Sequence, residues 1–284
     1  MKIKEFSERI KLCKITDDNF KFNYFSINFL VPLSEETVEY NTLLPMVLER
    51  GTKKYPDILS LNRKLYDLYG ASLSTGFRKK GEVMIVSFGI SFIKNKFAFN
   101  NQDILNDATE LLINIIKNPL TGKDGFNEEY VRQEKINLID KINAKINDKR
   151  SFAINQCIEI MCKNEPYGVS EMGTIPDVEK ITAKSLYEYY KKFISESQIF
   201  AFFFGEADEE FISSKILENF DKNLNFPPLT TVIKEKSGDV KEITERYNVS
   251  QSKLVLGFRI GNTKRLNPSA LALFNTIYGG SANS

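Results

Sequence analysis

Apolar and polar positions change period several times along the chain, and each change marks an element. From Phe20 to Val31 aromatic and β-branched residues alternate with polar ones, the pattern of a half-buried strand, and Pro32 ends it. Asn41 to Arg50 shifts to helical spacing, with Leu44, Val47 and Leu48 on one side and Gly51 as the stop. Leu59 to Tyr69 predicts a second helix closed by Gly70. Ala71 to Arg78 and Glu82 to Ile93 predict a hairpin joined at Lys79-Lys80-Gly81. Helical spacing returns from Asp103 to Lys117 and stops at Asn118-Pro119-Leu120. Asn127 is placed to cap a long charged helix reaching about Asn147, and a further helix covers Phe152 to Cys162. Thr182 and Ser185 suggest a weakened capping box before another helix. Gln198 to Phe204 is almost wholly apolar and predicts a fully buried strand, bounded by Gly205.

After Pro227 and Pro228 the pattern restarts. A shift of about 229 residues lays Lys253–Ile260 over Tyr24–Val31 and a helix over Ala270–Tyr278 onto the one ending at Arg50; Phe258 then falls on Phe29 and Gly280 on Gly51. This predicts an internally duplicated α+β chain: a domain over residues 1–225, a linker over 226–245, and over 246–284 the start of a second, homologous domain. That second copy stops after its first helix, so the sequence reads as a fragment of a longer protein.

Composition narrows the classes. Of 284 residues, 42% are hydrophobic and 27% charged, enough to bury a core. The net charge of +2 is spread out, and the runs Lys53-Lys54, Arg78-Lys79-Lys80 and Lys191-Lys192 are short solvated surface, so no nucleic-acid footprint stands out. The longest strongly apolar run, Ile199–Phe204, cannot span a bilayer, and Met1–Leu12 holds no leader-like apolar core, which predicts a cytoplasmic protein away from membranes. Cys13, Cys157 and Cys162 lack metal or redox spacing and read as buried free thiols. Tyr187, Tyr189, Tyr190 and Phe193 lie at helical spacing and read as core or interface packing. Gly168-x-x-x-x-Gly173 lacks the Lys-Ser/Thr pair of a phosphate loop.

Several segments in fixed order resemble the insulinase and pitrilysin peptidases, among them the mitochondrial processing peptidase. Leu43 to Thr52 is similar to that family's metal helix ending in Gly-Thr, and Phe126 to Lys145 to the helix bearing the last zinc ligand. Pro166-Tyr167-Gly168, Gly173-Thr174 and Ile181 to Phe193 resemble the segment that follows. Phe203 to Asp208 resembles the buried strand ending in Gly-Asp-x-Asp, and Gly279-Gly280-Ser281 with Ser284 the start of a second-half Gly-Gly-Ser motif. The resemblance implies two similar α+β halves, each a mainly antiparallel sheet covered by helices, facing one another around a chamber. It is nearest to short bacterial members that accompany an active relative, including those associated with modification of an elongation factor or of bacteriocin peptides.

Active members of that family carry His-x-x-Glu-His, because two imidazoles four residues apart on a helix reach one Zn²⁺ while the glutamate serves as base. A second glutamate on a neighbouring helix completes the ligands. This chain has no histidine. By spacing, Thr42 stands at the first ligand, Pro45 at the base, Met46 at the second ligand and Lys141 at the last. Glu49, Glu134 and Asp140 lie nearby, and a carboxylate site for Mg²⁺ or Mn²⁺ is the alternative; Glu49 and Asp140 read instead as helix-surface charge, and Glu134 as packing or an ion pair with a lysine. No histidine base remains to activate Ser or Cys.

The expectation is therefore a protein without catalytic residues, metal or cofactor. It would pair with an active zinc-peptidase relative and help form a chamber for a peptide or unfolded protein segment. The alternatives are a hydrolase with a novel site in a missing C-terminal part, and a stand-alone peptide-binding chaperone.

Overall fold

The structure is a computed structural model and describes residues 1–231, 234, 236, 238–247, 251–261 and 266–280, with Gly279 and Gly280 described by backbone alone. Six strands form one sheet: β1 (Lys2–Glu5), β2 (Ile10–Ile15), β3 (Phe22–Pro32), β4 (Ser72–Lys80), β5 (Val83–Ile93) and β6 (Gln198–Phe204), in the order β1-β2-β6-β3-β5-β4. Every neighbouring pair is antiparallel except β2 and β6. The sheet is thus mainly antiparallel, as the resemblance implies.

Helices cover one face of it. They are α1 (Val38–Leu48), α2 (Ile58–Asp67), α3 (Ile104–Lys117), α4 (Glu128–Ala144), α5 (Lys149–Met161), α6 (Ile175–Lys180), α7 (Ala183–Glu196), α8 (Glu209–Asn219) and α9 (Pro268–Asn275). α1 packs against β4 and β5, and against α4, α6 and α7, while α3 lies between β5 and α8. The register explains the core: Phe25, Ile27 and Phe29 on β3 stand beside Ile90, Phe88 and Val86 on β5 and beside Phe203, Ala201 and Ile199 on β6, all buried on the covered face.

β6 departs from the expectation of full burial. Ile199, Ala201 and Phe203 are buried, but Phe200, Phe202 and Phe204 are only half-buried on the open face, where Tyr24 packs against Phe202 and Phe20 against Phe204. An all-apolar strand implies cover on both faces; here aromatic neighbours replace the second layer. The hairpin turn also moves by one position: Lys80 pairs with Val83, so Gly81 and Glu82 make the turn, with Gly81 in the left-handed region at φ 61°.

Other expectations hold with small shifts of boundary. Asn127 caps α4 by accepting from the Tyr130 N–H at 3.1 Å. Thr182 and Ser185 form both bonds of the capping box at 3.0 Å, the serine hydroxyl accepting where a glutamate carboxylate is the usual acceptor. Tyr190 and Phe193 are core residues; Tyr190 donates its hydroxyl to the Ile116 carbonyl, and Tyr189 donates to Asn41 Oδ1 at 2.7 Å. All three cysteines are free, but Cys157 is partly exposed and only Cys13 and Cys162 are buried.

The restart is only half visible. α9 forms near the expected place, whereas residues 253–260 are in no strand, because a strand is defined by a ladder partner and this segment meets none among the described residues. Instead it lies on α5: Arg259 pairs with Glu165 and donates to the Met161 carbonyl at 3.2 Å, and Gly257 sits against Cys157 and Met161. Ser281 and Ser284 fall outside the described residues. Among the described residues no helix is long and apolar enough to cross a membrane.

Candidate functional site

α1 is the most buried helix near the sheet, and its last turn borders an open cleft of about 600 Å³. The walls come from α1 and α4, from α2 through Leu61 and Leu65, and from the start of β4 through Leu73. Met46 and Lys141 both line it. Thr42 and Pro45 do not, since both are buried. The Thr42 hydroxyl, 2.8 Å from the Val38 carbonyl and 2.9 Å from the Glu171 carbonyl, sits under the segment that leads into α6. The structure therefore brings two of the four sequence-assigned positions to one cleft and leaves the other two in the packing beneath it.

The polar floor of the cleft is an ion pair of Glu134, with a different cation from the lysine the sequence suggested. The Arg50 Nε–H donates to Glu134, which is only 5% exposed, and Asn137 Nδ2 donates to the same carboxylate at 3.1 Å. The partner is thus an arginine from the end of α1, where a cation also faces the negative end of the helix dipole. One sequence signal was present. Val131, Glu134 and Leu138 lie on a single stripe of α4, and an acid on an apolar stripe demands a cation. Which cation depends on the neighbouring helix. Glu49, exposed, accepts from the Thr75 hydroxyl of β4, and Asp140 is exposed outside the cleft.

A second buried acid fastens α1 at its other end. Glu39, 2% exposed, accepts from the Thr174 N–H at 3.0 Å, and burial pushes its pKa up. Gly173 is left-handed at φ 67°, and a Cβ there would collide with the Glu39 carboxylate. The Gly173-Thr174 pair therefore has a local reason: it lets the chain turn tightly over the first turn of α1.

Zinc does not fit the assigned positions. A hydroxyl, a prolyl ring, a thioether and an ammonium are a poor donor set for Zn²⁺, which takes thiolate, imidazole or carboxylate. Among the described residues no three Cys, Asp or Glu side chains converge to hold a metal, which also leaves the Mg²⁺ or Mn²⁺ alternative without a ligand set.

Comparison with known proteins agrees with this geometry. The chain is 32% identical over 273 residues to the "Probable inactive metalloprotease YmfF" of Bacillus subtilis (strain 168), spanning 95% of this chain and 64% of that one. The sequence profile of the Peptidase M16 inactive domain matches residues 180–284. By these two matches the chain is similar to the M16 peptidases. Both matches are to proteins described as inactive. The chain is also 26% identical over 219 residues to the "Uncharacterized zinc protease YmfH" of the same Bacillus strain, covering 74% of this chain and 49% of that one. Its M16 fold is matched by the crystal structure of a peptidase M16 inactive domain from Pseudomonas fluorescens, at a TM-score of 0.63 and 13% identity over 83% of this chain and 55% of that one. The chain thus spans half to two thirds of the length of these relatives.

Proposed function

We propose that this chain is part of a non-catalytic M16 protein that pairs with an active zinc-peptidase relative and supplies one wall of a peptide-holding chamber. The observation that carries the reading is the cleft itself: it is open and flanked by the edge strand β4, yet the ligand positions around it hold Met46 and Lys141. A scaffold kept without its metal chemistry is suited to holding a peptide, not to cutting one. Similarity to both an inactive and a zinc-protease relative from one Bacillus strain supports a paired arrangement. In the same reading, Thr42, Pro45, Met46 and Lys141 occupy the lost ligand and base positions. Residues 1–225 form the first domain, 226–245 link it to a second beginning at 246, and the protein works in the cytoplasm.

Co-purification from the native host tests this. A relative carrying His-x-x-Glu-His should be recovered in a one-to-one ratio. A full-length protein that cleaves unstructured peptides alone, at a rate indifferent to chelator, would overturn it in favour of a hydrolase with a different site.

A further inference from the structure

The cleft offers hydrogen-bond donors that nothing among the described residues uses. Arg50 commits its Nε–H to Glu134, and neither of its Nη groups meets an acceptor among the described residues. Lys141, exposed on the facing helix, has no carboxylate or carbonyl partner among them either. The two carboxylates in the same walls are occupied: Glu134 takes Arg50 and Asn137, and Glu49 takes Thr75. Around these groups the lining is mixed, with apolar Met46, Leu61, Leu65 and Leu73 beside the polar Asn62, Tyr66 and Ser72.

We propose that this cleft is a carboxylate-binding subsite, in which Lys141 and the Arg50 Nη groups take a side-chain or terminal carboxylate of an extended peptide while flanking apolar residues rest on Met46, Leu61 and Leu65. This rests on the reading of the cleft as peptide-holding. The chemistry follows from the donors. A guanidinium already anchored through Nε presents its remaining N–H groups in a fixed direction, so little entropy is lost when an oxygen arrives, and a carboxylate accepts from such a fork more strongly than a neutral amide does. Lys141 adds a mobile charge on the opposite wall. Glu49 opposes the ligand, but it is exposed, held by Thr75 and screened by solvent, so its effect is the weaker.

Three fluorescent nonapeptides of one apolar sequence test the proposal on the whole chain: a C-terminal amide with a central Glu, the same amide with Gln, and the Gln peptide with a free C-terminus. At least one carboxylate peptide should bind about tenfold more tightly than the Gln amide, the gain of one charge-assisted hydrogen bond at a part-exposed site. Lys141→Met, at an exposed position that leaves folding intact, should reduce that advantage to within about twofold. Glu49→Gln should enlarge it. Which carboxylate peptide gains tells a side-chain carboxylate from a terminal one. Equal binding of all three peptides would overturn the charged subsite while leaving peptide binding standing, and an advantage that survives Lys141→Met would place the carboxylate elsewhere and overturn it as well. No binding of any peptide would sink both this proposal and the reading on which it rests.

Discussion

Arg50 and Glu134 show how much a single side chain in the cleft carries. Glu134 is almost wholly buried, so removing its cation leaves an anion in a poorly solvated place. Arg50→Ala should cost about 3 kcal/mol of unfolding free energy in urea, whereas Arg50→Ala combined with Glu134→Leu should recover more than half of that, because the double variant leaves no charge stranded. Additive losses in the two single variants and the double would show that the pair is not coupled. At this scale an absence carries the chemical argument, since the given residues hold no histidine with which to rebuild the family's site. The pairing was not legible. The lysine expected for Glu134 and the arginine that meets it differ in sequence only by position, and the choice is made by the end of α1 reaching α4 across 84 residues.

The elements divide by how local their signal is. β3, β5, α3 and α4 announced themselves by period and caps, because long elements average over many side chains. β1 and β2 did not: Lys2–Glu5 and Ile10–Ile15 mix lysines and a glutamate with isolated apolar residues, and β2 becomes a strand by pairing in parallel with β6, near the far end of the domain. Residues 253–260 show the converse. Their alternation is that of a strand, yet they rest on α5 through Arg259, which reaches Glu165, Met161 and Cys162. Arg259→Ala should speed amide hydrogen exchange across residues 251–261 roughly tenfold and leave β5 unchanged, as local opening is governed by the few bonds that hold an exposed segment. Unchanged exchange in that segment would show that the arginine does not anchor it.

For the molecule as a whole, the sharpest expectation concerns metal. Purified protein should contain well under one equivalent of zinc by elemental analysis, and a chelator should leave its Tm where it was, because no binding energy is linked to folding. Stoichiometric zinc, removed by chelator with loss of stability, would overturn the view of this chain as a metal-free relative of the M16 peptidases. The sequence by itself determined the mixed α+β class, the resemblance to M16 peptidases and the absence of histidine, since composition, period and the identity of residues at fixed spacings are properties of the chain alone. Only the tertiary structure decided that Thr42 and Pro45 turn into the packing while Met46 and Lys141 face a cleft, and that Arg50 neutralises Glu134 at its floor. Those outcomes depend on which helix faces which, and that is set by burial of α1, α4 and the covered face of the sheet against one another, over separations that no local pattern records.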